Sequence, residues 1–383
     1  YALIFSFQRQ TIKGKIKLDL LEKSFHKLLE KHSQLRANFF TTKENNQLQL
    51  VQKISDYEKY KNTNLIEFIN LENNNLSLQN TIEAISTIEN NLVNSKFDLE
   101  NDLLFKILLV ENKNETNLLI LMHHIIFDGV SMKILSEELW NNYYSLLNNQ
   151  KIESTNLKAS YFDYIKYLNN RKNQDDFYWW ENHLSNKNIN LGAFKEKFYN
   201  FNNDVVSSSY SNIIDKNLSD KLSEFSQINQ IPLQVLYLNA YFKTLSEWLN
   251  TNDLIVNLAV SGREIPIPEI NKVIGCFADT YPVCYKKETS FEDLRFQLQE
   301  IKRHQNIGSA ELTKIFKSQN KEYSPFAFSF AIFDKTWAEK LKGIEFTKTL
   351  MRGFNINTKF ALTFWEDFEG INYTINYPKS LLQ

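Results

Sequence analysis

The apolar positions of this chain follow two periods that alternate along its length. YALIFSFQ, residues 1–8, has a strand pattern at the start. Leu21, Phe25, Leu28, Leu29 and His32 then recur at helical spacing, which predicts an amphipathic helix with one buried stripe. Asp19, with Glu22 three residues on, reads as a capping box at its start. In HSQLRANFF the period becomes that of a strand, LQLVQKI suits another strand, and LQNTIEAISTIENNLVNSKFDL suits a second helix. DLLFKILLVENKNETNLLILMHH reads as two strands joined by a polar hairpin loop. After Asp128-Gly129, Ile134, Leu135, Leu139 and Tyr143 again keep helical spacing. The stretch LMHHIIFDGV, residues 121–130, is thus expected to be strand, short loop, helix.

A polar region from about residue 148 to 176, carrying the helical YFDYIKYL, marks a candidate boundary. Beyond it the alternation resumes. IPLQVLYLNAYFKTLSEWLN and SFEDLRFQLQEIKRHQ suit helices, with Pro232 near the first turn of the former. DLIVNLAVSGRE, GCFADTYPVCY, PFAFSFAIFD and INYTINYP suit strands. The 383 residues are too many for one core of ordinary size, so two halves of similar length are expected. The fold class this predicts is α/β or α+β, with no short repeat.

Charge narrows the partners. Forty-four Lys and Arg against 45 Asp and Glu give a net charge of −1, which offers no footprint for nucleic acid or an anionic membrane. No apolar stretch approaches the ~20 residues of a membrane helix, and no signal peptide opens the chain. Two cysteines, Cys276 and Cys284, supply neither a disulfide framework nor a zinc set and read as small core residues. These features predict a cytoplasmic protein.

The chemistry concentrates at residues 123–129. The chain has six histidines and places two side by side, with Asp128-Gly129 beyond them. A histidine on an apolar strand is commonly a satisfied core residue. Neighbours on a strand point to opposite faces, so one ring is expected in packing and the other in a cavity. That geometry also speaks against a metal, for which no second ligand cluster is evident. As a base, a neutral imidazole takes a proton near physiological pH. Gly129 permits close backbone approach, and an N–H there suits a developing oxyanion. Asp128 remains a candidate second base, orienter or partner for a buried cation. With an arginine partner the pair would be structural, because arginine stays charged.

HHIIFDG resembles the His-His-x-x-x-Asp-Gly signature of condensation domains in nonribosomal peptide synthetases. HSQLRANFF resembles a further segment of that family, as do FDLENDLLFKILLV, YFDYIKYL with FYWWENHL, TNDLIVNLAVSGRE, IGCFADTYPV and TKFALTFWEDFEGINYTINY. Together they cover nearly the whole chain in the family's order. The resemblance implies two lobes similar to chloramphenicol acetyltransferase, residues 1–165 with HHIIFDG and 166–383 with SGRE and IGCFADT, meeting in a V around a tunnel. It implies an acyltransferase that joins a donor acyl or peptidyl thioester to an acceptor amine. Both substrates would ride on phosphopantetheine arms of carrier proteins, beside neighbouring synthetase domains, with no intrinsic cofactor. His124 would be the acting imidazole and His123 mainly structural. Asp128 would pair with Arg263, Gly129 would complete the site, Ser131 and Asp279 would line the tunnel, and Arg36 would be structural.

The chain departs from the family pattern in places. The opening Ser-x-Ala-x-Gln motif is absent, and the chain is expected to start just after it. Asp279 stands where asparagine is usual, and Ala361 replaces an aspartate. Three alternatives remain: an epimerization domain, disfavoured by Ala259 where that subgroup carries glutamate; a coenzyme A-dependent acyltransferase; and an inactive recruitment domain.

Overall fold

The computed structural model describes residues 5–44, 47–72, 77–152, 157–171, 173–188, 191, 207–331, 341, 343–354, 360–367 and 370–378. Among these, a five-stranded sheet runs in the order β11 (Phe346–Phe354), β1 (Phe5–Lys13), β6 (Glu115–His123), β5 (Phe105–Glu111), β4 (Ile66–Asn70). The uninterrupted apolar run Leu118–Met122 belongs to a strand covered on both faces, as such runs usually do. Leu118, Ile120 and Met122 join a core with α1 (Leu18–Lys31) and α3 (Gly129–Leu147). Leu119 and Leu121 join a second core with Ile85 and Leu92 of α2 (Leu78–Val93). Leu21, Leu28 and Leu29 of the α1 stripe are fully buried, and each stabilises the layer by roughly 1.5–3 kcal/mol.

The expected β5–β6 hairpin is antiparallel, and Asn112 shapes its turn by accepting from the backbone N–H groups of Asn114 and Glu115. A smaller hairpin pairs β2 (Ala37–Glu44) with β3 (Gln47–Ile54). The connection between the halves carries α4 (Tyr161–Asn170) and α5 (Gln174–Ser185). The second sheet is mixed, in the order β7 (Ser207–Ile213), β13 (Gly370–Pro378), β12 (Phe360–Asp367), β10 (Phe326–Ala331), β8 (Asp253–Val260), β9 (Asp279–Lys286). Its core takes Trp180 and Leu184 from α5, Leu238 and Phe242 from α7 (Leu233–Leu249), Leu294 and Ile301 from α8 (Phe291–Arg303), and Leu312 and Ile315 from α9 (Ser309–Ser318). A further helix, α6 (Lys216–Asn229), lies on the surface with no buried residue. No helix of the described residues is long and apolar enough to cross a membrane.

The α/β class expected from the pattern is the observed one, with local corrections. The capping box at Asp19 does not form: Lys17 is the N-cap, and Glu22 accepts from the backbone of Leu65 and Ile66 instead. Pro232 is the N-cap of α7, beside its first turn as expected. The second expected helix stops at Val93, well before FDL. Residues 1–4 of the expected opening strand lie outside the described residues. The division at residue 165 does not follow the sheets throughout, because β11 pairs with β1 from Phe5↔Phe354 to Ile12↔Phe346. A strand from late in the chain thereby completes the early sheet.

Candidate active site

Strand β6 ends at His123, which pairs with Phe5 on β1. The His123 ring is nearly buried and stands edge-on to Phe5 and Phe97, with centroids 5.5 and 6.0 Å away. Its Nδ1 accepts the N–H of Ile125 at 3.1 Å, and that bond turns the chain out of the sheet. Burial, helped by the neighbouring His124, pushes its pKa down to about 4, so His123 is neutral at physiological pH. The next three residues, His124–Ile126, form a 3₁₀ turn. The two rings therefore diverge because one ends a strand and the other begins a turn; they do not occupy opposite faces of a single strand.

His124 is partly exposed. Burial lowers its pKa from the usual histidine value, while the charge of Asp128 and its own backbone carbonyl act in the opposite sense. Its Nδ1 lies 3.5 Å from Sγ of Cys276. Among the described residues nothing hydrogen-bonds Nε2. An imidazole held neutral with one nitrogen free can accept a proton from a bound substrate.

Asp128 is the N-cap of α3 and is wholly buried. Its Oδ1 accepts from the N–H of Ser131 at 2.8 Å and from Nη2 of Arg263 at 3.0 Å. Its Oδ2 accepts from Nη1 of Arg263 at 2.6 Å and from the N–H groups of Phe277 and Ala278 at 3.0 and 3.2 Å. Five donors converge on one carboxylate. The pair joins the start of α3 to the turn after β8. That turn requires glycine at 262, where φ is +64° and an added Cβ would lie 2.0 Å from the carbonyl oxygen of Phe277. Arg263 also covers the Phe277 ring at 4.1 Å and donates to the carbonyl of Val273 at 3.3 Å.

Residues 275–278 cross this network as a strap. Ser131 Oγ donates to the carbonyl of Gly275 at 2.9 Å and accepts from the Gly275 N–H at 3.1 Å and from Nη2 of Arg263 at 2.9 Å. Tyr161 on α4 donates to the carbonyl of Cys276 at 2.8 Å, and its ring packs so closely that a Cβ at Gly275 would sit 2.3 Å from it. Ser131, expected to line a tunnel, is instead fully buried, because its hydroxyl ties α3 to the strap. Asp279 begins β9, and its carboxylate accepts from the N–H of Ser309, where it sits favourably at the positive end of α9. Gly129 is exposed at the first position of α3, and a Cβ there would meet nothing within 4 Å. Among the described residues, the space beside Gly129 is therefore open. Arg36 is structural, donating to the carbonyls of Ser55 and Glu30.

Cys284 is a buried core residue as expected, but Cys276 is not: it is half-buried and faces the His124 ring. Cys276 and Tyr161 are the site residues that the sequence did not single out. They join the site through contacts that span 115 and 152 positions of sequence.

A family model described as a condensation domain matches residues 9–382. Bacitracin synthase 1 of Bacillus licheniformis is 25% identical over 383 residues, which cover 95% of this chain and 7% of that protein. The chain thus spans less than a tenth of that relative's length. Among solved structures, the first condensation domain of the calcium-dependent antibiotic synthetase, in complex with a substrate analogue, matches with a TM-score of 0.79 at 12% identity. That match covers 98% of this chain and 86% of the other. The epimerization domain from the third module of tyrocidine synthetase B matches with a TM-score of 0.69 at 18% identity, covering 97% of this chain and 86% of the other.

Proposed function

Since the chain belongs to the condensation-domain family, we propose that it forms an amide bond between a donor acyl or peptidyl thioester and an acceptor aminoacyl thioester. Both substrates are carried on phosphopantetheine arms of carrier proteins, in the cytoplasm, as part of a nonribosomal peptide or hybrid polyketide synthetase. The acceptor amine attacks the donor carbonyl, the carbon–sulfur bond breaks, and the donor arm leaves as a thiol. His124 accepts the amine proton at Nε2 and returns it to the departing sulfur, so no proton is lost or gained overall. Backbone N–H groups of the first turn of α3, reached over Gly129, steady the oxyanion. His123 and the Asp128–Arg263 pair hold this turn in place. We assign residues 1–165 and 166–383 to two lobes, with β11 crossing back, and place the substrate passage between them.

The observation that carries the reading is the contrast within the signature. Asp128 is saturated by five donors, while His124 is left partly exposed with one nitrogen unbonded among the described residues. Epimerization needs an acidic second base, and two positions bear on it. Ala259 on β8 supplies no carboxylate, and Asp279 is engaged by Ser309. Intact-mass spectrometry of donor-loaded carrier, acceptor-loaded carrier and this protein tests the proposal. The expected result is loss of the acyl mass from one carrier and its gain by the other. Unchanged masses on both carriers contradict it.

A further inference from the structure

We propose that Cys276 is a positioning residue for His124: its sulfur, set against Nδ1, holds the ring in the tautomer whose Nε2 is free to accept a proton. This rests on the reading of His124 as the acting base and goes beyond it by asking what orients that base. A neutral imidazole has two tautomers, and a base working through Nε2 must carry its own proton on Nδ1. The proton on Nδ1 therefore needs acceptors on that side of the ring. The sulfur at 3.5 Å is a soft acceptor in that position.

The way Cys276 is mounted supports a built contact. Gly275 is bonded to Ser131 through both its N–H and its carbonyl. The carbonyl of Cys276 is bonded to Tyr161, and the N–H groups of Phe277 and Ala278 to Asp128. With the backbone pinned on both sides, the thiol keeps one torsion, and its sulfur lies against the imidazole. The buried Asp128–Arg263 network thereby acquires a route to the reacting group. It fixes the strap, and the strap presents the sulfur.

The thiol is also kept from interfering. Burial, with the charges of Asp128 and Asp279, pushes its pKa up to about 12. Only a thiolate attacks thioesters efficiently, so a thiol held protonated does not compete with the acceptor amine for the donor.

Ring ¹⁵N shifts of the histidines at about pH 7.5, where an imidazole is neutral, read the tautomer without any need for turnover. The His124 signals are identified by their loss in His124→Asn. The wild-type protein should show His124 with its proton on Nδ1. Cys276→Ala should move those shifts toward a mixture of tautomers, and Cys276→Ser, which keeps an acceptor, should restore them. Cys276→Val, which fills the space without an acceptor, should behave as the alanine variant does and guards against a mere packing defect. In carrier-to-carrier transfer, Cys276→Ala should lower kcat by ~10-fold, with KM for either carrier unchanged, as expected for a misoriented base. Wild-type ring shifts together with a wild-type kcat in Cys276→Ala overturn the proposal. Absence of transfer by the wild-type protein instead overturns the proposed function, and the ring shifts still decide the role of Cys276.

Discussion

Replacing His124 by alanine lowers transfer between carriers by ~10²- to 10⁴-fold, the range typical of losing a general acid–base group. The thermal midpoint should stay close to that of the wild-type protein. The ring is partly exposed, and its polar contact among the described side chains is the soft one with Cys276, so no strong hydrogen bond is lost. Binding of each carrier should also be retained, because the substitution leaves the surface of both halves intact. Substitution of His123 is expected to follow the opposite pattern. Its ring is enclosed by Phe5 and Phe97 and its Nδ1 shapes the turn, so alanine there costs stability first and activity through it. A His124→Ala protein that transfers at the wild-type rate, measured in a single turnover, removes this imidazole from the mechanism.

The second large effect concerns the buried ion pair. Asp128→Ala leaves the Arg263 guanidinium buried without its counter-ion and strands the N–H groups of Ser131, Phe277 and Ala278. Removing one partner of such a pair costs on the order of 3–5 kcal/mol. Arg263→Met inverts the problem by leaving an unpaired carboxylate of similar cost. The double variant Asp128→Ala with Arg263→Met removes both charges together and should be less destabilised than the sum of the single changes, because neither charge is then left alone. Urea unfolding midpoints of the four proteins measure the coupling. Additive losses would show that the two groups do not support each other. All the variants should lose activity whatever their stability, since the strap that carries Cys276 hangs from Asp128.

Parts of this arrangement were readable from the residues. The β5–β6 hairpin and α3 follow from hydrophobic period alone, since both are local and strongly patterned. The pairing of Asp128 with Arg263 came from family likeness, because no period or spacing links residues 135 positions apart. Strand β7, SSSYSNI, escaped notice because it lies at a sheet edge and lacks an apolar face to announce it. Strand β11 has a partner more than 330 positions away, so its place in the first sheet is a product of tertiary pairing. The apparent capping box failed because Glu22 found two backbone donors, at Leu65 and Ile66, that the local sequence does not show. Cys276 reads as a core residue in sequence because nothing in the segment GCF reveals that it and its neighbours are tied to Ser131, Asp128 and Tyr161.

The role of a neutral imidazole is tested most directly by the pH dependence of single-turnover transfer between carriers, followed by intact mass. A base must be unprotonated to act, and burial lowers the pKa of His124 below the ordinary 6.5. The ratio of the wild-type rate to the His124→Ala rate, in which titration of the acceptor amine cancels, should therefore hold level as pH falls through 6.5 and decline only at more acidic values. A ratio whose decline is centred at or above 6.5, or that does not decline at all, contradicts the account.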